Sequence, residues 1–282
     1  MKTRFVLFIC LFACLAGLAL PLQSAPVVWN GKTYDDDATA KLITVIITTN
    51  PIPSIPRVTH LYSCQKSLSR IPALKKCKKI IVFDGVQPAY EARQHDYNTY
   101  KKCVAKLVRT NPYFAKTKLV FCPAWVHLSG AIKEAMQYVK TPYVFIQQHD
   151  FEIIKDFDLN GIVATLEANP NVKHVKLDYN NHNDDATWWN GPVDEVVEGI
   201  HFVPLTRTFG WSDVTHVAKV DYYRDFVLPK CGHGPMEHFL HNPLKRDLAK
   251  YGYEAHKIYG TYLYGRIKDG GYMLHTDGRG TP

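Results

Sequence analysis

The residues best suited to chemistry stand at the ends of apolar runs. Tyr143 to Asp150, YVFIQQHD, is a strand-length apolar stretch that stops at two amides, an imidazole and a carboxylate. His149 and Asp150 supply nitrogen and oxygen donors of the kind that hold a divalent cation. Thr48 and Thr49 close the run LITVIITT, and Asp84 closes the run Ile80 to Phe83. In an open α/β sheet ligands bind outside the carboxyl ends of the strands, so these groups share one rim if the runs are parallel strands. Asp84 then stands where a carboxylate accepts from a ribose or a base, with an Asx turn to Gly85 as the plainer alternative. No Gly-rich phosphate loop follows the first run. Asn50-Pro51-Ile52-Pro53 comes instead, and proline has no N–H to offer a phosphate, so a diphosphate would need a divalent cation at Asp150.

The elements that position these groups alternate. Leu42 to Thr49, Ile80 to Phe83, Lys118 to Phe121, the run from Tyr143, and Val172 to Leu177 read as strands. Between them, Arg57 to Ser69, Tyr90 to Arg109, Ser129 to about Val139 with Ser129 as cap, and about Asn160 to Ala168 read as helices. Such alternation predicts a mainly parallel sheet with helices on both faces. The second half changes in texture: Asp178 to Pro192, DYNNHNDDATWWNGP, has the composition of a long functional loop. Tyr222 to Val227, Pro235 to Tyr251 and Ala255 to Arg266 supply further elements, the middle one a helix. Trp188, Trp189 and Trp211 would stack on sugar faces if exposed and would anchor core or loop if buried.

Lys2 and Arg4 precede an apolar run of 16 residues, Phe5 to Leu20, closed by Pro21. A charged flank before such a run is a targeting segment. Cleaved signal and retained type II anchor are both open for residues 1–25, and either delivers the rest across a membrane, into the lumen of the ER or Golgi or out of the cell. Residues 26–41 read as a linker. The formal charge of the 282 residues is +8, and the only dense basic run, Lys75, Lys76, Lys78 and Lys79, reads as a solvated approach to a strand and not as a nucleic-acid patch. Of seven cysteines, five (Cys64, Cys77, Cys103, Cys122, Cys231) follow the leader, an odd number; an oxidising compartment would permit one or two disulfides, and no CxxC pair supports a zinc ribbon or a thioredoxin-type site.

Strand-end threonines, a strand-end aspartate, then HLSGAIKEAMQYVKTPYVFIQQHD and DLNGIVATLEANPNV together resemble the nucleotide-sugar-dependent glycosyltransferases of the GT-A fold, the family 2-like group in particular, over about residues 42 to 177. The resemblance implies an α/β, three-layer α/β/α sandwich with a mainly parallel central sheet. It implies one domain, 42–282, with a nucleotide-sugar half (42–177) and an acceptor half (178–282). The activity implied is transfer of a hexosyl or pentosyl group from a nucleotide-diphosphate donor to a hydroxyl of a glycan, protein or lipid, with inversion; a catalytically silent sugar- or nucleotide-binding relative is the alternative. In the family a DxD-type motif binds the diphosphate through Mn2+ or Mg2+. Here it reads Gln148-His149-Asp150, with a weaker neutral ligand in place of the first Asp. By the same resemblance Asp150, His149 and His275 are metal ligands, and Thr48, Thr49, Asp84, Lys133, Arg266 and Arg279 contact the donor. Glu237, in the first turn after Gly234-Pro235, is the base, although a first-turn carboxylate also stabilises a helix dipole. Trp188, Trp189, Trp211 and Asp213 face the acceptor.

Overall fold

The computed structural model describes residues 25–52, 54–179, 198–265 and 269–276. The chain enters through a hairpin, β1 (Val27–Trp29) and β2 (Lys32–Tyr34), turned by Asn30 and Gly31 at φ 47° and 75°. Helix α1 (Asp36–Leu42) follows, capped by the Asp35 carboxylate, which accepts from the N–H groups of Asp37 and Ala38. Residues 26–41 are therefore not a linker. The Asn-Gly pair is a hairpin signal and Asp35 a helix-start signal, and both lay in the sequence unread.

Beyond α1 the expected alternation unfolds as β3 (Ile43–Thr49), α2 (Thr59–Ser67), α3 (Pro72–Lys76), β4 (Lys78–Phe83), α4 (Gln94–Thr110), β5 (Thr117–Phe121), α5 (His127–Met136) and β6 (Tyr143–Gln148). The short strand β7 (Phe151–Ile153), α6 (Leu159–Ala168) and β8 (His174–Lys176) complete the first half. After the undescribed stretch come β9 (Leu205–Arg207), β10 (His216–Lys219), a wide π-type helical turn over Tyr222–Val227, α7 (Met236–Tyr251), α8 (Tyr253–Tyr259), β11 (Thr261–Tyr264) and β12 (Met273–His275).

Eight strands form one sheet in the order β5-β4-β3-β6-β10-β8-β11-β9. Four of its pairings are parallel and three antiparallel, the antiparallel ones all made by β9 and β10 of the second half. Side-chain alternation along the central strands builds a core on each face. Val45, Ile47, Ile81, Phe83 and Phe145 belong to one cluster, under α2, α4 and α6; Ile46, Ile80, Val82, Val144 and Ile146 belong to the other, with Ala131, Ile132 and Ala135 of α5 and Leu240 and Leu244 of α7. Helices thus cover both faces, as the alternation predicted, and the result is the three-layer sandwich that the resemblance implied.

Three local expectations change. Ser129 lies inside α5, where its Oγ donates to the Gly232 carbonyl at 2.6 Å, so it ties α5 to the entrance of α7 instead of capping. The stretch from Ala255 splits at Gly260 (φ 58°) into α8 and β11, because a left-handed residue ends the helix and turns the chain into the sheet. The five cysteines after the leader are all free thiols, with Cys64, Cys77 and Cys122 buried as small core residues. Among the described residues no helix is long and apolar enough to cross a membrane; the run Phe5 to Leu20 lies outside them.

Buried histidines make this core acid-sensitive. His174 packs 4.2 Å from the His216 ring and 5.0 Å from Trp211, and neither of its nitrogens meets a hydrogen-bond partner. His216 bonds the Val214 carbonyl and the Tyr223 hydroxyl. Burial holds His174 well below the ordinary imidazole range and pushes His216 down to about 4. A depressed histidine favours folding while neutral, so its contribution is intact above the unfolded value near 6.5 and is lost as pH falls towards the folded one. Between pH 7.5 and 5, His216 alone should remove about 2 kcal/mol. Urea unfolding at the two pH values checks this, and an unchanged midpoint would contradict it.

Candidate functional site

The carboxyl ends of β3, β4 and β6 open into a cavity of about 260 Å³. Thr48, Thr49, Asp84, Gln148 and His149 line it from the strand ends, Trp125, His127 and Leu128 from the entrance of α5, and Asp213 and Pro235 from the second half. The strand-end groups thus meet on one rim, as parallel pairing requires. Thr49 turns to the α4 face, where its hydroxyl pairs with Tyr100 at 3.1 Å. Tyr97 donates to the carbonyls of both Thr49 and Asp84 and clamps two strand ends together.

Asp84 takes on the Asx role weighed against ligand binding and extends it. Its Oδ1 accepts from Gly85 N at 2.7 Å and Val126 N at 2.8 Å, so one carboxylate staples the β4 loop to the β5 loop. A Cβ on Gly85 would stand 2.2 Å from backbone atoms of Ala124 and Trp125, which is why glycine follows Asp84. Burial pushes the Asp84 carboxyl up, and the two N–H groups and His127 pull it back. Asp84→Ala should release the wall carrying Trp125 and His127, at about 1–3 kcal/mol of stability for the N–H groups left behind. Thermal unfolding measures the loss; Asp84→Asn, which keeps an accepting oxygen, should restore most of it.

Asp150 is buried at 2% exposure just behind the cavity. Strand β12 returns antiparallel to β7 and brings His275 opposite Phe151, against which the imidazole stacks at 4.6 Å. His275 Nε2 then reaches Asp150 Oδ2 at 3.2 Å, while Thr276 donates to the Asp150 carbonyl through both its N–H and its hydroxyl. Burial alone would raise the Asp150 carboxyl, but the His275 hydrogen bond and the imidazoles of His149 and His275 hold it below the usual carboxylate range. His149 turns Nδ1 towards the Thr48 carbonyl at 3.2 Å. No group of three or more metal-ligating side chains gathers among the described residues. A carboxylate and an imidazole side by side supply two donors, so a cation held there would draw its remaining ligands from a substrate diphosphate and water.

Across the cavity stands Asp213, with a second carboxyl, Glu237, beside it. Proline at the entrance of α7 puts Glu237 in its first turn. Ser212 Oγ donates to Glu237 Oε2 at 3.0 Å, and the Glu237 N–H lies 3.4 Å from Asp213 Oδ2. Burial, then the neighbouring Asp213 charge, pushes the Glu237 carboxyl up to about 7, against the pull of Ser212 and of Lys176 on β8. Asp213 is raised by burial as well. A half-ionised, hydrogen-bonded carboxyl beside a cavity is suited to taking a proton at neutral pH.

Other expected site residues lie elsewhere. Trp211 is fully buried and donates from Nε1 to the Tyr222 hydroxyl at 3.0 Å, so it is a core anchor and not a sugar platform. Lys133 is exposed on α5 and is not part of the cavity lining. Arg266, Arg279, Trp188 and Trp189 lie outside the described residues. The sequence reading passed over Trp125, His127, Ser212 and Lys176. Trp125 and His127 follow a parallel strand, the rule that found Asp84, and could have been found by it.

No family model and no curated protein matches the sequence. In shape the chain is similar to GalNAc-T7, solved with UDP, GalNAc and Mn2+, at a TM-score of 0.53 and 10% identity over 84% of this chain and 44% of that one. It is also similar to TarS of S. aureus (TM-score 0.47, 13% identity, 83% of this chain and 36% of that one). A third such structure is the mannosyltransferase PcManGT from Pyrobaculum calidifontis with GDP-Man and Mn2+ (TM-score 0.42, 13% identity, 65% of this chain and 46% of that one). The chain spans between 36% and 46% of the length of these proteins. The likeness to GalNAc-T7 shows the fold, which is of the GT-A type.

Proposed function

We propose that this chain transfers a sugar from a nucleotide-diphosphate donor to an acceptor hydroxyl, with inversion, in the lumen of the secretory pathway or outside the cell. The observation that carries this reading is the strand-end cavity that Asp213 and Pro235 help to line, with the Glu237 carboxyl, pushed up to about 7 and held by Ser212, next to that Asp213. GalNAc-T7, which shares the fold, was solved with UDP and Mn2+, and this supports a nucleotide donor and a divalent cation here.

Glu237 accepts the proton of the acceptor hydroxyl while that oxygen attacks the anomeric carbon. The bond from that carbon to the diphosphate breaks, and the nucleoside diphosphate leaves with the electron pair. A single displacement of this kind inverts the anomeric centre. Asp150 and His275 would hold Mn2+ or Mg2+, which would neutralise charge on the diphosphate. Asp84 fixes the wall that receives the nucleoside, and burial, helped by the Asp213 charge, keeps Glu237 half-ionised at neutral pH.

The amide of Gln148, where the metal motif has its first carboxylate, supports a second reading, a relative that binds the donor without turning it over. Incubation with UDP-, GDP- and CMP-linked sugars and mixed glycan acceptors, with nucleotide release as the readout, separates the two. Release that depends on acceptor and on Glu237 supports transfer; binding without release supports the silent relative.

A further inference from the structure

We infer that Trp125, set at right angles to His233 in the wall of the strand-end cavity, is the platform on which the transferred sugar lies, and that this sugar is a neutral pyranose. The inference rests on the transfer reading above and assigns the sugar half of its donor. Trp125 is partly buried and is the one indole that lines the cavity among the described residues. The His233 ring meets it at 4.3 Å and 86°, the His127 ring at 5.6 Å and 43°. Neither lies flat on the indole, so aromatic surface is left for the cavity. One face of a pyranose is a patch of C–H groups, and an aromatic face is what such a patch packs against.

The platform is fixed before any ligand arrives. On the side of β4, Asp84 accepts from the Val126 N–H at 2.8 Å, and Gly85 comes so close that a Cβ on it would stand 2.2 Å from the Trp125 nitrogen. On the side of α7, His233 Nε2 donates to the Trp125 carbonyl at 3.3 Å. Ser129 ties the loop that carries His233 to α5, through the carbonyls of Gly232 at 2.6 Å and Gly234 at 3.3 Å. That loop runs through Pro235, also in the lining, into the first turn of α7 and Glu237. His127 lies within electrostatic reach of both His233 and His238, the residue after Glu237. The indole therefore stands between the Asp84 wall assigned to the nucleoside and the proposed base, where the sugar of a bound donor falls.

Polar groups of the same wall suit hydroxyls. The Leu128 N–H donates to His127 Nδ1 at 2.9 Å, so the neutral imidazole carries its proton on Nε2 and can donate it to a sugar oxygen. Burial, then His233, holds His127 below the ordinary imidazole range, which keeps it neutral at pH 7. Asp213 can accept from a hydroxyl. Among the described residues no lysine or arginine lines the cavity, while Asp84 and Asp213 do. A carboxylate on the sugar would meet acids there and no cation, which disfavours uronates and sialic acids.

The test is isothermal titration of the full chain, with Mn2+ present, by UDP and GDP and by two matched pairs, UDP-glucose with UDP-glucuronate and GDP-mannose with GDP-mannuronate. The neutral member of the pair that binds should be favoured by at least about tenfold, since its partner carries a carboxylate in place of the hydroxymethyl group. Trp125→Ala should weaken the neutral donor about three- to tenfold and leave UDP or GDP within about twofold. Trp125→Phe, which keeps an aromatic face, should retain most of that affinity. Should Trp125→Ala misfold, saturation transfer from the parent chain must still reach the ring protons of the neutral sugar as well as those of the base. A uronate bound as tightly, an equal loss of UDP or GDP in Trp125→Ala, or a sugar that receives no saturation overturns the inference. Binding of neither UDP nor GDP overturns the transfer reading itself. Binding of either, with sugar-linked forms that do not bind or are indifferent to Trp125→Ala, overturns this inference alone.

Discussion

Glu237→Gln lowers kcat by about two to four orders of magnitude while the donor affinity stays within about twofold. The amide keeps the volume and the bond from Ser212 but cannot take a proton. In the parent chain activity should rise with pH through about 7 as the Glu237 carboxyl ionises. Asp213→Asn removes the like charge that helps hold that carboxyl up, so the rising limb should move to lower pH. Stability runs the other way. A raised carboxyl favours the folded state while protonated, so its contribution is complete below the ordinary value near 4.5 and is lost as pH rises through about 7. Glu237→Gln should therefore be the more stable protein at pH 8 and the less active one. A carboxylate present only to complement the helix dipole predicts the opposite order of stability. Initial rates and urea midpoints across pH 5 to 9 distinguish the two.

Asp150→Ala should cost about 3 kcal/mol, because it strands His275 beside a cavity in place of its partner. It should also abolish any thermal stabilisation that Mn2+ gives in the presence of a nucleoside diphosphate, since the carboxylate is the one oxygen donor and the one negative charge of the pair. Asp150→Asn separates these effects: an amide oxygen can still accept from His275, so stability should largely return while the cation response does not. If both variants bind Mn2+ and nucleotide as the parent does, the pair is a structural clasp for β12 and not a cation site.

The first half of the fold was legible because its signals are local. Isoleucine, valine and threonine runs ended by Asn50-Pro51 and Asp84-Gly85 fix strand ends, and strand ends fix the rim. The second half was less so. Strand β10 is four residues long and slots antiparallel between β6 and β8, a placement that depends on partners far away in sequence. Glu237 was visible as a first-turn acid, but its raised carboxyl comes from burial and from Asp213, 24 residues earlier, which no periodicity reports. Trp211 misled because aromatic residues suit sugars and cores alike, and only the Tyr222 hydroxyl decides for the core. His275 was placed by resemblance alone; its contact with Asp150, 125 residues earlier, exists because β12 pairs with β7.

The central claim is that a nucleoside diphosphate occupies the strand-end cavity. Its most direct test is the thermal midpoint of the full chain against UDP and GDP, with CMP as the monophosphate comparison and Mn2+ present, repeated with Leu128→Trp, which puts an indole in place of an isobutyl group in the cavity lining. The account predicts a saturable rise of several degrees with UDP or GDP that the monophosphate CMP does not match, and its loss in Leu128→Trp. A midpoint that no nucleotide moves, or a rise that survives the filled cavity, would contradict it.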